Sequence, residues 1–318
     1  MLNVYTTQNG SLRRIESSEQ PLPKDFVWAD MIHPDQADER RVEECVGIDV
    51  PTREEMHEIE FSSRLYQENG TKFMTAVLIV NGDTDRPEAQ PVTFVFDGRH
   101  LITVRYAEPK SIDAFISRVQ RPGTNCTGAE STLLGLLETV VDRAADHMER
   151  LVHEVDVLSQ EVFGHRGVGA QKDFQDVLRR LGGKADLTSK VNESLLSIGR
   201  LVAFFAQSLE SPDSRTRADI LVQDVRSLTD HTSFISDKIT FLLDATLGMI
   251  NIEQNAIIKI FSVAAVAFLP PTLVASIYGM NFDLMPELKW EFGYPLAITL
   301  MILSAVIPFF YFKRRGWL

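Results

Sequence analysis

The chain has 318 residues, of which 44% are hydrophobic, and 32 Lys and Arg against 44 Asp and Glu give it a net charge of −12. The acidic excess lies in residues 1–250, whose net charge is −13, so this part of the chain disfavours nucleic acid as a partner and favours cations. The only two cysteines form no CxxC pair, which argues against a disulfide framework or a structural zinc site.

Residues 1–126 alternate short runs rich in Val, Ile, Phe and Tyr with helical patterns, which predicts an α/β domain with a mainly antiparallel or mixed sheet. The predicted strands are Phe26–Ile32, Ser63–Gln67, Lys72–Val80, Val92–Phe96 and Leu101–Tyr106, and the predicted helices are Asp35–Glu44, Thr52–Glu58 and Lys110–Val119. The segment contains no Gly-rich phosphate loop and no nucleophile elbow, so we expect neither an enzyme nor an organic cofactor. The N-terminal segment lacks the pattern of a signal peptide, so we expect the domain to be cytosolic.

From Ser131 the apolar residues recur with a helical period, and residues 127–212 are predicted to form a helical hairpin. Its first helix should end near Gly164, and its second should run from Phe174 to Leu209 with a weak point at Gly182-Gly183. Ser211-Pro212-Asp213-Ser214 is then a good helix start.

Residues 213–278 contain no strong helix breaker before Pro270-Pro271, which predicts one helix of about sixty residues, on the order of 90 Å long. One small domain cannot bury such a helix, so we expect an oligomer in which this stalk continues into a membrane span. The alternative is two shorter helices that are interrupted near Gly248.

Two apolar runs near the C-terminus are long enough to cross a bilayer: Ile260–Tyr278 has nineteen residues without a charge, and Phe292–Phe312 has twenty-one. The second span is predicted at 294–312, and the basic tail 313–318 after it favours the cytoplasmic side. Both termini are then cytoplasmic, and the loop 279–293 faces outward.

One face of the first span alternates polar, small and apolar positions, which suits a water-filled pore, although packing between helices would also explain it. The predicted pore-lining residues are Asn255, Ile258, Phe261, Ala265, Leu269, Thr272 and Ser276. Further back, Asp230, Asp237 and Asp244 recur every seven residues, so their carboxylates lie on one helix side and would form acidic rings around an axis. The alternative is a solvated acidic stripe on the outside of the stalk.

Beyond the first span, Gly279 permits the backbone to leave the helix, and Asn281 offers an amide oxygen. A strongly hydrated divalent cation keeps its waters, so neutral oxygens that accept hydrogen bonds from those waters would capture the ion weakly enough to release it. Asp283 and Glu287 in the loop would raise the cation concentration at the mouth.

Gly279-Met280-Asn281 after the first span, Met285-Pro286-Glu287-Leu288 in the loop, and a second span that ends in Lys313-Arg314-Arg315 together resemble the CorA magnesium transporters. The resemblance is strongest over residues 248–318. It implies a homopentamer with a funnel-shaped cytosolic body, in which Gly279, Met280 and Asn281 form the selectivity filter. It also implies that Ile258, Phe261 and Leu269 are the apolar narrow points, although Phe261 is bulkier than the aliphatic residues expected there.

The resemblance further implies closure when cytosolic Mg²⁺ binds between neighbouring soluble domains. The candidate ligands are Asp83, Asp85 and Glu88 in one turn, facing Asp219 or Asp224 of a neighbour; an ordinary polar turn is the alternative.

The function expected from this is passive influx of Mg²⁺, and by resemblance of Co²⁺ and Ni²⁺, across a bacterial inner membrane. A zinc transporter of the same superfamily and a non-conducting, membrane-anchored scaffold are the alternatives.

Overall fold

The protein is described by a computed structural model that covers residues 1–8, 10–15, 22–58, 60–84, 86–121, 126–164, 173–280, 285–286 and 290–316. These residues divide into two compact units, Met1–Leu243 and Asp244–Leu318. The first contains a sheet and most of the helices, and the second contains the apolar C-terminal helices.

The first unit is built on a seven-stranded mixed sheet in the order β2-β1-β3-β7-β6-β5-β4. The strands are β1 Leu2–Gln8, β2 Ser11–Ile15, β3 Trp28–Ile32, β4 Leu65–Glu68, β5 Thr71–Val80, β6 Glu88–Phe96 and β7 Leu101–Arg105. All neighbouring pairs are antiparallel except β3 and β7, which are parallel with Asp30 opposite Thr103. The mixed sheet and its five predicted strands are therefore confirmed, except that Ser63 and Arg64, predicted to begin the second strand, belong to a short helix. Strands β1 and β2 were not predicted from the sequence.

Four short helices belong to the sheet domain: α1 Gln36–Val46, α2 Arg53–Met56, α3 Phe61–Arg64 and α4 Lys110–Val119. Four longer ones follow: α5 Ala129–Phe163, α6 Phe174–Ala206, α7 Pro212–Tyr278 and α8 Gly293–Arg314. Helix α6 passes through Gly182-Gly183, and the 67-residue α7 passes through Gly248, without interruption. The single long helix is confirmed, and the alternative of two shorter ones is wrong.

The sheet is covered on both faces. A core cluster joins one face to α1 and α2 through residues such as Met31, Val42 and Met56, all at most 1% exposed. On the opposite face the Trp28 ring meets Phe115 of α4, and Phe96 meets Phe205 of α6. Burial on both sides explains why the central strands read as nearly continuous apolar runs.

A buried ion pair lies within the parallel pair of strands. Arg105 Nε and Nη2 donate to the two carboxylate oxygens of Asp30 at 3.0 and 2.9 Å, and both side chains are at most 1% exposed. The Thr103 hydroxyl donates to Asp30 at 2.7 Å, and Trp28 Nε1 donates to that hydroxyl at 3.0 Å. Each buried charge has hydrogen-bonded partners, so neither side chain is left as an unpaired charge in the core.

Within the first unit, α5 and the beginning of α7 run side by side in the same direction. Contacts between them progress together along both helices: Arg217 donates to Glu138 at 2.9 Å, the Thr232 hydroxyl contacts Met148 Sδ at 3.4 Å, and the Phe241 ring stacks on Phe163. The face of α7 that is turned to this body carries buried residues at three- and four-residue spacing, in two apolar runs joined by the half-buried Leu228 and the buried Thr232: Ala218, Leu221 and Val225, then Ile235, Ile239 and Leu242.

Candidate ion pathway

Two of the described helices, α7 and α8, are long and apolar enough to cross a membrane. In the C-terminal unit the covered positions on the apolar part of α7 follow one stripe: Val263 is 6% exposed, and residues 267, 270, 271, 274 and 278 are half-buried. On α8 the buried residues are the small Gly293 and Ala297. The covered positions of this part of α7 therefore lie along one side of the helix.

Of the predicted pore-lining residues, Phe261, Ala265 and Thr272 lie on the face of α7 opposite Val263. Residues on an α-helix are about 100° apart, so Phe261 and Ala265 lie about 200° on either side of Val263. Exposure in the single chain agrees: Ile258 is 60%, Phe261 72% and Leu269 66% exposed. Asn255, Ala265, Thr272 and Ser276 are exposed as well. The whole predicted stripe is therefore uncovered within one chain and available to a surface outside it.

Polar atoms on this face can serve a hydrated ion. The Thr272 hydroxyl donates to the carbonyl of Phe268 at 2.7 Å, which leaves its oxygen lone pairs free to accept. Pro270 and Pro271 lie within the helix and remove two backbone donors, so the carbonyls one turn earlier lose their usual partners. Both prolines belong to the half-buried stripe, so these carbonyls lie on the covered side of the helix and not on the open face.

The stalk aspartates lie away from the body of their own chain. Asp237 is exposed and lies about 200° from both Ile235 and Ile239, which are 1% exposed and packed inward. Asp230 is exposed in the same way within the first unit, and Asp244 is exposed at the beginning of the second. Their inward orientation in an oligomer remains a prediction.

The segment that follows the first span is only partly described. Helix α7 ends at Tyr278; the Gly279 amide still donates to the carbonyl of Ala275 at 2.9 Å, and Met280, 48% exposed, donates to Ile277 at 3.3 Å. Asn281, Asp283 and Glu287 lie outside the described residues. Gly279 and Met280 of the predicted filter therefore directly follow the end of α7. The filter itself stays a prediction.

The turn that is predicted to bind a regulatory metal forms ion pairs with residues of its own chain. Asp83 pairs with Lys110 at 3.0 Å, Arg143 at 2.6 Å and Arg150 at 2.5 Å. Burial alone would raise the pKa of Asp83, but the hydrogen bonds from Lys110 and Arg150 and the charge of Arg143 hold it well below its usual range. Three cations around one carboxylate disfavour a divalent ion there.

A buried histidine side chain lies next to this cluster. His147 lies between Arg143 and Arg150 on α5 and is 3% exposed. Its burial, followed by the charges of the two guanidinium groups, lowers its pKa to about 4. Gly82 leaves room for it, since a Cβ at that position would lie 2.6 Å from the ring. We name Asp83, Lys110, Arg143, His147 and Arg150 the turn clasp.

The other candidate ligands differ from Asp83 in their partners. Glu88, Asp219 and Asp224 are exposed and form no ion pair within the described residues, and Asp85 lies outside those residues. Among the described residues of a single chain, no three His, Cys, Asp or Glu side chains converge as a metal site. A regulatory site that is shared between copies stays a prediction.

Comparison with known proteins decides the family. The family model for the CorA-like Mg²⁺ transporter protein matches residues 23–314. The chain belongs to the CorA family. It is 35% identical over 320 residues to the magnesium transport protein CorA of Escherichia coli and to that of Salmonella typhimurium, with full coverage of both chains. The chain is thus a membrane protein of a magnesium transporter family.

Solved structures agree with the fold. The complete CorA magnesium transporter of Methanocaldococcus jannaschii matches with a TM-score of 0.78 at 19% identity and covers 100% of this chain and 99% of its own. Full-length CmaX matches at 0.70 with 16% identity, covering 100% and 98%. The cytoplasmic domain of ZntB from Vibrio parahaemolyticus matches 78% of this chain and 97% of its own at 0.58 with 10% identity. These likenesses support the CorA fold of an α/β domain, a long helix and two apolar C-terminal helices.

Proposed function

We propose that the chain assembles into a homo-oligomer, five copies by analogy with its family, and conducts Mg²⁺ inward across a bacterial inner membrane. In this arrangement α7 lines the axis and α8 lies outside it. Both termini are cytoplasmic, as the basic residues Lys313, Arg314 and Arg315 at the end of α8 favour.

The observation that carries the proposal is the division of α7 into two faces. Between residues 261 and 278 one face is covered by its own chain, whereas the opposite face, which carries Phe261, Ala265 and Thr272, mixes polar and apolar side chains and is left open. Residues 251–260 are exposed on every side of the helix. A face turned to lipid would be uniformly apolar. A polar and apolar mixture on a spanning helix is typical of a surface that meets water, with apolar positions as constrictions.

The ends of α8 support insertion into a bilayer. Trp290, Phe292 and Tyr294 are 55%, 64% and 78% exposed near its beginning, and Tyr311 is 52% exposed near its end, with Arg315 over the Tyr311 ring at 5.3 Å. Exposed aromatic residues near both ends of a span are typical of the two membrane interfaces. From Tyr294 to Tyr311 a helix rises about 25 Å, close to the hydrocarbon thickness.

Selection would take place at Gly279, Met280 and Asn281. Mg²⁺ holds its waters firmly, so amide and carbonyl oxygens recognise the hydrated ion through those waters and release it again. Co²⁺ and Ni²⁺ carry the same charge and are proposed as further substrates. Passage needs no nucleotide, since a divalent ion gains about 4.6 kcal/mol on entering at about 100 mV, inside negative.

Cytosolic Mg²⁺ is proposed to close the channel by binding between soluble domains. Of the ligands predicted from the sequence, Glu88, Asp219 and Asp224 are exposed and suit such a shared site, and Asp85 stays a candidate. Asp83 suits such a site least, because Lys110, Arg143 and Arg150 already neutralise its charge.

Reconstituted liposomes containing a Mg²⁺-sensitive dye test the function. The wild-type chain should admit Mg²⁺, and Asn281→Ala should keep the oligomer while losing selective flux. An intact oligomer that admits no divalent ion would mean a non-conducting scaffold, and uptake of Zn²⁺ without Mg²⁺ would mean a zinc transporter.

A further inference from the structure

A second amide side chain lies on the open face of α7, at a position that the sequence analysis did not single out. Within the C-terminal unit, Asp244, Asn251, Ile258, Ala265 and Thr272 follow one another at intervals of seven. Each of the five is exposed in the single chain, and since every residue from 251 to 260 is exposed as well, it is the seven-residue spacing that places Asn251 on this line. Asn251 therefore continues the same line as the predicted pore positions.

A strict seven-residue line has a geometric consequence. In a straight helix it drifts by about 20° per heptad, whereas in a left-handed bundle it stays directed at the axis. Four intervals between Asp244 and Thr272 would drift by about 80° without supercoiling. If copies of α7 enclose an axis, a left-handed supercoil brings Asn251 to it together with Ile258.

The chemistry of Asn251 suits the axis better than lipid or a helix contact. Within the part of the chain that the structure describes, its carboxamide makes no hydrogen bond. It comes one interval after the carboxylate of Asp244 and one before the apolar Ile258. A neutral oxygen between a charged ring and a dry constriction can accept hydrogen bonds from a hydrated cation without trapping it.

Asn255 lies one helical turn further along, about 6 Å in rise and on the same side of the helix. Water oxygens on opposite sides of a hydrated Mg²⁺ are about 4 Å apart, since each lies about 2.1 Å from the ion. Two amide levels at this separation can contact one hydrated ion on both sides at once.

We propose that the Asn251 carboxamides of all copies form a second amide ring on the cytosolic side of Asn255, and that the two rings together hold the hydrated ion before the apolar constriction. This rests on the proposed function, because it assigns one more residue to the same pathway. The ring exists only in the oligomer, since each copy contributes one side chain.

Cross-linking tests the geometry independently of transport. Asn251→Cys and, as the matched control, Glu253→Cys are made in a chain with Cys45→Ser and Cys126→Ala. Both positions are exposed and lie about 200° apart on one helical turn. Mild oxidation in membranes should link copies of the Asn251→Cys variant and not copies of the control variant. Linkage in the control variant alone, or in neither, would overturn the proposal.

Measurements of Mg²⁺ uptake test the proposed role of the Asn251 amide group. Asn251→Ala should keep the oligomer and lower Mg²⁺ uptake by about fivefold, the effect of one lost hydrogen bond to the ion's waters. Asn251→Gln should restore most of the uptake because it retains the amide. Unchanged uptake in Asn251→Ala, or equal loss in both variants, would contradict the ring. If the wild-type chain admits no Mg²⁺, the proposed function fails, and the cross-linking result still decides where Asn251 points.

Discussion

Replacing Asp83 by Asn separates two accounts of the turn between β5 and β6. If Asp83 belongs to the turn clasp, the substitution removes the carboxylate that Lys110, Arg143 and Arg150 share, and the protein loses stability. If Asp83 is instead a ligand of regulatory Mg²⁺, the substitution shifts the Mg²⁺ concentration that closes the channel. The structure favours the first outcome.

The magnitude follows from the exposure of the partners. The Asp83 side chain is 25% exposed, and Arg143 and Arg150 are 32% and 37% exposed, so the cluster lies between a surface pair and a buried one. Exposed pairs contribute about 0 to 1 kcal/mol, and breaking a buried pair costs about 3 to 5 kcal/mol. We expect a loss of about 2 kcal/mol, which corresponds to a decrease of about 4 to 8 °C in Tm for a unit of this size.

The assay is thermal unfolding of the full-length chain in detergent, together with Mg²⁺ inhibition of uptake in liposomes. Asp219→Asn is the matched control, because Asp219 is an exposed carboxylate on α7 and no ion pair to it occurs within the described residues. Asp83→Asn should lower Tm and leave the inhibitory Mg²⁺ concentration unchanged, whereas Asp219→Asn should leave Tm unchanged. An unaltered Tm with a shifted inhibitory concentration for Asp83→Asn would refute the clasp.

Three further measurements bear on the first unit, Met1–Leu243. Gly82→Ala should destabilise the protein by about 1 to 3 kcal/mol in denaturant unfolding, since the new methyl group would lie 2.6 Å from the His147 ring; an unchanged midpoint would contradict the packing. Because the pKa of His147 is lowered to about 4 from an ordinary value of 6.5, the folded state resists protonation in that interval, so stability should fall by about 2 kcal/mol between pH 7 and pH 5. His147→Asn should remove that part of the pH dependence, and an identical slope in the variant would exclude the imidazole as its origin. A double-mutant cycle on Arg217→Ala and Glu138→Ala should give a coupling energy of about 1 kcal/mol, since Arg217 donates from two nitrogens at 2.9 and 3.0 Å, and strictly additive effects would mean that the pair does not join α7 to α5.

The elements that the sequence predicted well are those whose signal is local and repeated. The 67-residue α7 follows from a long stretch without breakers, and the central strands follow from runs of β-branched and aromatic residues. The first hairpin was missed although its signal is present, since Asn9-Gly10 between two β-type runs is a strong hairpin indicator. The open face of α7 was also predictable, because helical spacing alone places Phe261, Ala265 and Thr272 on one side.

The turn clasp was not predictable from the sequence. Asp83 looked like a free acidic residue in a polar turn, and its partners are 27, 60 and 67 residues further along the chain. Only the docking of the β5–β6 turn against α4 and α5 brings them together. No local pattern indicates whether a carboxylate meets a metal ion or a guanidinium group, since both are satisfied by the same oxygens.

The central claim is that copies of α7 enclose a path through which Mg²⁺ passes without an energy source other than the membrane potential. The most direct measurement is Mg²⁺ uptake by liposomes that contain only the purified wild-type chain and no nucleotide, at zero potential and with the interior made negative. The account predicts uptake that begins without nucleotide and accelerates when the interior is negative. An intact oligomer whose uptake is absent, or is unaffected by the potential, would contradict it.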